Sequence, residues 1–438
     1  MKKTDEVVTL LSEVIKIDTT NPPGNEEAVA RFVQDFLKKE GLESEIFSPA
    51  PGRGNVMATI EGKTRGKPII LLSHSDVVPA RQEEWSVPPF SGAVKDGYIY
   101  GRGAIDMKSQ LVAMLLAFVT LKREGITPEN DVVFLATADE EVGGSMGAEY
   151  MFEKVKNLAD AQFVLSEGGC LIEEDGFVHA QVSVAEKKIC QFMVRAMGIG
   201  GHASMPHSDN ANDKVVRAAN RIISHNIPFK PTSIVTKYLD GLLKGKHVGG
   251  VTYDTLSKAL KSAPFRNFIK NHPVYNALLR NTVTLTMLKG GEKVNVIPTE
   301  STVQFDSRIL PKEDHDAFLR RMQRVAGPEV EVVSTAKGES IPSSFNSPYF
   351  SLISTEVKRI KGDVPVLPFL TTGATDLRYF RRLGIPAYGF FPMTLSKEEL
   401  FRMHGVDERI SVETMGEALE CTVGIVRALA ALKASKPR

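Results

Sequence analysis

Two adjacent carboxylates, Glu140 and Glu141, follow a stretch at 131–138 with the length and composition of a buried β-strand. Gly143 and Gly144 come directly afterwards and indicate a sharp turn. Carboxylates at the end of a core strand are costly unless a cation or a proton offsets their charge. Because neighbouring side chains of an extended chain point opposite ways, one acid can bind a metal while the other holds a proton beside it. For an isolated pair, a solvated loop is the alternative explanation.

A second candidate pair, His74 and Asp76, follows the stretch 68–72, whose apolar character on both faces predicts a central strand. At a spacing of two residues in extended chain, both side chains point to the same face. Imidazole is a good zinc ligand, and a nearby carboxylate can orient it as an outer partner. Because the His-x-Asp motif is short, it indicates a metal site only together with further candidate ligands.

Two more acids complete this pattern. Asp106 stands at the start of a predicted helix at 107–124, where it can cap the helix, bind a metal, or do both. Glu167 follows a predicted strand at 161–166 and precedes two glycines. In open α/β sheets the ligand crevice lies outside the carboxyl ends of the strands. Repeated strand endings in a His or an acid therefore predict one common site.

Length and composition limit the class of protein. The chain has 438 residues, which is long for one domain and predicts two. It is 42% hydrophobic and 24% charged with a formal net charge of +1, which is typical of a globular protein. This balance gives no reason to expect a nucleic-acid partner. The chain has no Walker-type phosphate loop, which argues against a nucleotide-dependent ligase.

The sequence predicts a soluble cytoplasmic protein with no membrane partner. Asp5 and Glu6 follow Met1-Lys2-Lys3 at once, so no signal-peptide h-region is recognised. The longest apolar helix candidate, 111–121, is much shorter than the ~20 residues that span a bilayer. The three cysteines are far apart and indicate a reducing compartment; they are Cys170, Cys190 and Cys421.

The order of predicted elements suggests a catalytic domain interrupted by a smaller one. We expect a first catalytic part at 1–186, an inserted domain at 187–337 and a second catalytic part at 338–438. Within the insert, 228–282 is rich in Lys and Pro, with moderate helical patches and no clear chemistry. The strongest helical patterns lie at 4–17, 25–40, 107–124, 312–325 and 412–432.

The motifs around these candidates resemble the di-zinc exopeptidase family of acetylornithine deacetylase, succinyl-diaminopimelate desuccinylase, aminoacylase and carboxypeptidase G. His-x-Asp, Gly-Arg-Gly-x-x-Asp-Met-Lys, Asp-Glu-Glu-x-Gly, Gly-His-Ala-Ser and His-Gly-x-Asp-Glu-Arg occur in family order over nearly the whole chain. Two features depart from the family pattern. Segment 228–282 is an addition that resembles carboxypeptidase S-like relatives, and the usual Gly-Gly-Thr-Ser/Thr-Asp turn reads Thr-Gly-Ala-Thr-Asp at 372–376.

The resemblance implies an α/β fold: a zinc-exopeptidase-like mixed sheet with helices on both faces, plus an inserted α+β lid or dimerisation domain. It also implies two metal ions bridged by Asp106. One ion would take His74 and Glu167, and the other Glu141 and His404. Two imidazoles and three carboxylates suit zinc, with cobalt or manganese as possible replacements.

The resemblance further assigns catalytic roles outside the ligand set. Glu140 is the expected general base, and Asp76 the expected partner of the first ligand. His202 of the inserted domain is expected to help form the oxyanion site, often across a homodimer. The alternative for His202 is a loop histidine packed against Pro206.

Substrate binding is expected from four residues: Arg308, Asn295, Gly373 and Thr375. A planar guanidinium such as that of Arg308 fits a carboxylate bidentately. Its alternative partner is Asp306, on the same face of the same predicted strand.

Together these expectations predict a dinuclear metallo-hydrolase that cleaves an amide bond next to a free carboxylate. A dipeptidase or carboxypeptidase acting on small peptides is the leading hypothesis. An N-acyl-amino-acid deacylase is the close alternative, and a metal-binding homologue without turnover is a third. The sequence leaves the acyl group and the side-chain preference open.

Overall fold

The computed structural model of the protein describes residues 3–174 and 176–433. Met1 and Lys2, where the sequence analysis looked for a signal peptide, lie outside the described residues. The chain divides into two units. The first comprises the chain up to Val184, Ser343–Phe369 and the chain from Thr375 onward, and the second comprises Ala185–Pro342 and Leu370–Ala374.

The helices of the described chain are, in order, α1 (Lys3–Lys16), α2 (Glu26–Lys39), α3 (Lys108–Arg123), α4 (Ala148–Lys154), α5 (Ala211–Ser224), α6 (Ser233–Leu243), α7 (Leu256–Ala259), α8 (Ala263–Asn271), α9 (Pro273–Leu279), α10 (His315–Ala326), α11 (Pro348–Lys361), α12 (Leu377–Arg381), α13 (Lys397–Leu400) and α14 (Val412–Ala430). Short 3-10 turns occur at Gln82–Glu84, Glu140–Val142 and Lys156–Asp160. None of these helices is both long and apolar enough to cross a membrane.

The strands are β1 (Ser44–Phe47), β2 (Asn55–Ile60), β3 (Thr64–His74), β4 (Val94–Lys95), β5 (Tyr98–Tyr100), β6 (Asn130–Thr137), β7 (Phe163–Ser166), β8 (Leu171–Glu174), β9 (Phe177–Glu186), β10 (Lys188–Met197), β11 (Gly201–His202), β12 (His247–Val248), β13 (Val251–Thr252), β14 (Thr282–Gly290), β15 (Val296–Ile297), β16 (Glu300–Ile309), β17 (Glu331–Lys337), β18 (Val366–Thr371), β19 (Ala387–Gly389), β20 (Thr394–Ser396) and β21 (Arg409–Ser411).

Apolar periodicity explains the helices that pack on the main sheet. In α2, Val29, Val33 and Leu37 are fully buried at a spacing of four residues, which forms one face of a helix. The chain leaves this helix through Gly41 at φ +69°, a conformation that favours glycine. By contrast, α3 is buried on all sides from Lys108 to Leu121 and is a core helix.

The main sheet of the first unit has ten strands in the order β1-β2-β6-β3-β7-β19-β9-β8-β20, with β18 paired to β9. Its centre is parallel, because β3 pairs in parallel with both β6 and β7. The register places His74 opposite Thr137, so the ends of β3 and β6 coincide. The carboxyl ends of these strands therefore meet at one edge of the sheet.

A small antiparallel sheet, β21-β5-β4, joins two distant parts of the chain. Arg409 pairs with Tyr100, and Ile410 with Ile99. This pairing brings the loop before β21, which contains His404, beside the loop after β5, which contains Asp106.

The second unit contains an antiparallel four-stranded sheet, β14-β16-β10-β17. Helices α5 and α10 supply the apolar side chains that cover it: Val215, Phe318 and Met322 pack with Phe192 and Phe305 of the sheet. Helices α6 to α9 and the β12–β13 hairpin occupy the segment 228–282, where the sequence predicts only moderate helical patches.

Most predicted elements occur near their expected positions. The five strongest helical predictions end within three residues of the observed helices. Strand β19 is short, Ala387–Gly389, because Pro386 and Pro392 flank it and a proline has no N–H for the ladder.

Candidate metal centre

The candidate centre lies at the carboxyl edge of the parallel strands. His74 is the last residue of β3, and Glu167 directly follows β7. Glu140 and Glu141 form a 3-10 turn shortly after β6. The fold thus positions four of the predicted site residues through three neighbouring strands.

The first candidate ligand group consists of His74, Asp106 and Glu167, whose ligand atoms lie within 4.8 Å of one another. His74 Nε2 is 3.1 Å from Asp106 Oδ1 and 3.8 Å from Glu167 Oε1. The other ring nitrogen, Nδ1, lies 3.0 Å from the carbonyl oxygen of Asp76. A donated hydrogen bond from Nδ1 leaves Nε2 as the atom that faces the carboxylates.

The second group consists of Asp106, Glu141 and His404, again within 4.8 Å. His404 Nε2 is 3.0 Å from Asp106 Oδ2 and 3.4 Å from Glu141 Oε1. Asp106 therefore presents one oxygen to each imidazole, which is the arrangement of a bridging carboxylate. The structure brings together all five residues that the sequence predicts as metal ligands.

The two candidate ligand groups contain three carboxyl groups and two imidazoles, so acidic groups outnumber basic ones. Burial, with the neighbouring charge of Asp106 second, raises the pKa of Glu167 to about 8. Hydrogen bonds to Asp106 and Glu141 raise the pKa of His404 to about 10. Glu141 Oε1 is buried and lies 3.4 Å from His404 Nε2. Buried carboxylates of this kind are stabilised by a cation, so the donor set fits divalent metal ions.

Asp76 is fully buried and fixes the turn that carries the two adjacent acids. Its Oδ1 accepts the N–H of Glu140 and its Oδ2 accepts the N–H of Glu141, both at 3.1 Å. Since Asp76 Oδ1 also lies 3.4 Å from His74 Nδ1, one residue orients a candidate ligand and the Glu140–Glu141 turn together. The sequence predicts only the contact with the histidine.

The loop that carries Asp106 depends on Glu408, which is fully buried. Glu408 accepts hydrogen bonds from Arg102 Nη1 and Ile105 N, both at 2.7 Å, and from Asp106 N at 3.1 Å. The capping role considered for Asp106 is wrong: the N-cap of α3 is Met107, without a side-chain cap. The reason is that both carboxylate oxygens of Asp106 face imidazoles instead.

Four of the predicted site residues belong to the second unit: His202, Asn295, Arg308 and Gly373. His202 lies on the two-stranded ribbon β11–β15, is exposed, and contacts Ser204 Oγ through Nδ1 at 2.7 Å. Asn295 is held by its carbonyl oxygen, which accepts the N–H of Ala203 at 3.0 Å. Thr375 is buried and belongs to the first unit.

Arg308 pairs with Asp306, which is the alternative partner named from the sequence. Its Nε and Nη2 donate to the two carboxylate oxygens of Asp306, at 2.8 and 3.2 Å. Both residues lie on β16 at a spacing of two, which places them on the same face of the sheet. Substrate binding by Arg308 therefore stays a prediction, and it requires this pair to open or to be shared.

Several positioning residues are not apparent from the sequence. Asn21, Arg53 and Glu408 contact the site from segments far away in the chain. For Glu408 the His-Gly-x-Asp-Glu-Arg motif is a usable signal, and for Arg53 the two flanking glycines are a weak one.

Comparison with known proteins identifies the family of the chain. Residues 70–428 match the model of peptidase family M20/M25/M40. The chain belongs to this family. The family resemblance and the mixed α/β fold with an inserted domain are thereby confirmed.

Among M20 relatives, the chain is 31% identical to N-fatty-acyl-amino acid synthase/hydrolase PM20D1 of Xenopus tropicalis, over 94% of this chain and 84% of the relative. It is 30% identical to aminoacylase-1 of Pongo abelii, over 98% of this chain and 96% of the relative. The solved structure of the M20 family metallo-carboxypeptidase Sso-CP2 from Sulfolobus solfataricus superposes with a TM-score of 0.73 at 20% identity, covering 97% of this chain and 99% of that chain. This last likeness concerns the fold alone.

Proposed function

We propose that the protein uses two divalent metal ions to hydrolyse an amide bond next to a free carboxylate. One observation carries the proposal: two His–carboxylate groups share Asp106, with the Glu140 turn beside them. Family membership supports the same class of reaction.

The donor set supports the choice of metal. Two imidazoles and three carboxylates, without thiolates, suit zinc and also accept cobalt or manganese. We propose that His74, Asp106 and Glu167 hold one ion, and that Asp106, Glu141 and His404 hold the other. When bound, such a pair of ions lowers the pKa of water and polarises the scissile carbonyl group.

The chain supplies the proton transfer. We propose Glu140 as the general base, which takes a proton from the attacking water and gives it to the leaving nitrogen. Burial, followed by the charge of Glu167, raises the pKa of Glu140 well above its ordinary value. A carboxyl group of this kind can hold the transferred proton between the two steps. Asp76 keeps Glu140 in place, because its Oδ1 accepts the backbone N–H of Glu140.

The inserted domain is proposed to bind the substrate. His202 is proposed to stabilise the negative charge that develops on the carbonyl oxygen, because its exposed imidazole is available as a donor. Arg308, Asn295, Gly373 and Thr375 are proposed to bind the free carboxylate. Arg308 supplies the bidentate geometry, as its contact with the Asp306 carboxylate illustrates.

Two substrate classes fit this reaction. Small peptides are the class that the sequence analysis favours. N-acyl-amino acids are the second class, and a specific observation supports them: two relatives of about one-third identity are named as N-fatty-acyl-amino acid synthase/hydrolase and aminoacylase-1. Both classes share an amide bond and an adjacent carboxylate.

A substrate panel separates these classes. Metal-depleted protein is reconstituted with Zn, Co or Mn and assayed on dipeptides, longer peptides, and short- and long-chain N-acyl-amino acids. We expect no hydrolysis after chelation and full recovery at about two equivalents of metal. The class with the higher kcat/KM is the substrate class. Full activity of the metal-free protein contradicts the proposal.

We also propose a homodimer formed through the second unit. Strand β14 is an edge of its sheet, and its Met287 and Leu288 are 60% and 62% exposed. On α5, Val216 and Ile223 are also exposed. An exposed strand edge with apolar side chains is a template for pairing with a second copy.

A cytoplasmic location is proposed from the thiols. The three cysteines are free and buried in the structure. Free thiols are typical of a reducing compartment.

A further inference from the structure

The stretch from Thr19 to the turn at 21–23 is part of the support of the candidate site. Thr19 Oγ1 donates to Ser75 O at 2.6 Å, and the N–H of Asn21 donates to Val77 O at 2.9 Å. The side-chain amide of Asn21 is buried and donates to Asp76 Oδ2 at 2.8 Å. These residues therefore contact the segment Ser75–Val77, which lies beside His74 and contains Asp76, the residue that holds the Glu140–Glu141 turn.

Arg53 joins this turn to the residue before the base. Its Nη2 donates to Asp139 Oδ1 and to Glu26 Oε1, both at 2.7 Å, and its Nη1 donates to Pro23 O at 3.0 Å. All three charged side chains are less than one-tenth exposed. A charge-assisted contact of this kind, shielded from water, is strong and geometrically specific.

The space for this guanidinium is provided by Gly24. A Cβ atom at Gly24 would lie 2.6 Å from Arg53 Cζ, and the residue has φ +91°. Any larger residue would displace Arg53 and strain the backbone. The Asn-Pro-Pro-Gly turn at 21–24 is thus shaped around the arginine side chain.

Asp139 connects Arg53 with the proposed general base, because Glu140 is the next residue of the chain. It has φ +71°, a left-handed conformation that is unfavourable for a residue with a Cβ atom. Its Oδ1 accepts from Arg53, and its Oδ2 accepts from Ser145 Oγ at 3.1 Å and Met146 N at 3.0 Å. These contacts hold the conformation that sets the direction in which the chain enters the Glu140 turn.

We propose that Arg53 is a positioning residue for the general base, acting through Asp139. It holds the left-handed residue that aims Glu140, whereas the carboxylate of Glu141 would be held in addition by the ion that it is proposed to bind. The inference rests on the proposed function, since it needs Glu140 to act as the base.

The test uses Arg53→Lys in the full-length, metal-loaded protein, with the best substrate of the panel. A lysine keeps the charge but lacks the planar fork that reaches Glu26, Asp139 and Pro23 together. We expect kcat to fall roughly 10- to 100-fold, because a small displacement of a catalytic group has effects of this size. KM should change less than about threefold and the metal content should stay at about two equivalents, because neither the ligands nor the substrate site is touched.

Two further variants keep the result interpretable. Asp139→Asn keeps the size of the side chain but loses the charge and one of the two acceptor oxygens, and it should lower kcat in the same way. The double variant should be little worse than either single variant, because the two residues act as one unit. Val33→Ala removes buried volume from α2 without touching the network, so it should lower Tm while leaving kcat unchanged.

The outcomes are distinct. An unchanged kcat in both Arg53→Lys and Asp139→Asn overturns the inference, as does a loss of kcat that follows the loss of metal. A kcat loss in Val33→Ala equal to that of Arg53→Lys assigns the effect to stability alone and also overturns it. If the wild-type protein hydrolyses no member of the panel, the proposed function fails, and the inference fails with it.

Discussion

Glu140 and Glu141 are adjacent in sequence, yet their carboxyl groups meet different surroundings. Glu141 Oε1 lies 3.4 Å from His404 Nε2, within a candidate ligand group. Burial and the charge of Glu167 instead raise the pKa of Glu140 well above its ordinary value. The backbone N–H groups of Glu140 and Glu141 donate to different oxygens of Asp76. A single carboxylate therefore holds the turn from which the two side chains point to different surroundings.

This divergence predicts different effects of one substitution at the two positions. Glu140→Gln keeps the shape of the side chain and removes the base, so kcat should fall roughly 10²- to 10⁴-fold with the metal content unchanged. Glu141→Gln should release or loosen one metal ion, because an amide is a weaker ligand than a carboxylate. Metal analysis and kinetics on both variants check this, and equal metal loss in the two would contradict the division of roles.

Arg308 predicts a dependence on the substrate's carboxylate. Arg308→Ala should cost about 2–5 kcal/mol in transition-state binding for a free-acid substrate, as for a truncated charge pair. The penalty should largely vanish for the C-terminally amidated substrate, because the partner charge is already absent. Comparing kcat/KM for the two substrates in both proteins measures the coupling.

A matched variant uses the pair seen in the structure. Asp306→Asn removes the charge that occupies Arg308, so KM for free-acid substrates should fall or stay constant while Arg308→Ala raises it. If Arg308→Ala affects amidated and free-acid substrates alike, the guanidinium serves the strand and not the substrate.

The ligand candidates could be named from sequence because each lies in a short local motif. His74, Glu141 and Glu167 lie at or after the carboxyl ends of strands, whereas Asp106 precedes α3 and His404 precedes β21. Their supports could not be predicted in the same way. Glu408 contacts Arg102 across 306 positions of chain, and Arg53 contacts Asp139 across 86. Such partners are chosen by tertiary packing, which no local pattern records. Whether Asp106 caps the helix could not be decided from sequence, because helix propensity does not reveal the two imidazoles in front of that carboxylate.

At the scale of elements, the parallel centre of the sheet follows from its strands. The second half of β3, residues 68–74, and almost all of β6 are buried, which is typical of parallel strands covered by helices. The small β21–β5 pairing has no comparable signal, because three residues carry too little periodicity. Yet this pairing brings the His404 and Asp106 loops together.

This pairing makes Glu408 a testable support of the second ligand group. Glu408→Gln keeps the shape of the acceptor but loses the charge that Arg102 requires, leaving a buried cation without a charged partner. We expect metal affinity to fall roughly 10- to 100-fold, the range for residues that orient ligands. Competition with a chelator measures the affinity.

The neighbouring Asp407 offers a matched control for that experiment. It is half-buried, and its carboxylate accepts the N–H of Ser86 at 2.8 Å instead of a hydrogen bond from the Asp106 loop. Asp407→Asn keeps an acceptor oxygen for that N–H and should therefore leave metal affinity within about twofold. An equal loss in both variants would mean that the loop, rather than Glu408, determines the affinity.

At the scale of the whole molecule, chain length predicts two domains, but no sequence pattern predicts the surface of the proposed homodimer. The fully buried core residues Phe192 and Phe305 lie on strands of alternating pattern, so their sheet is recognisable from sequence. The edge position of β14 depends on the order of the strands, which alternation alone does not specify. An assembly through this edge therefore needs an experiment.

The proposed homodimer and the proposed role of His202 are tested together by mixing variants. His202→Ala alone should lower kcat roughly 10²- to 10³-fold with the metal content unchanged, the usual effect of losing one oxyanion donor.

The mixing experiment pairs His202→Ala with Glu140→Gln, which should be inactive because it lacks the proposed general base. If His202 serves the partner's metal centre, a dimer containing one chain of each variant has one intact combination. Random mixing should then restore roughly a quarter of the wild-type activity, because half the dimers are mixed and each has one working site. Differently tagged chains purified in two steps verify the mixed dimer. Absence of recovery in that sample would show that His202 acts within its own chain or has no part in the reaction.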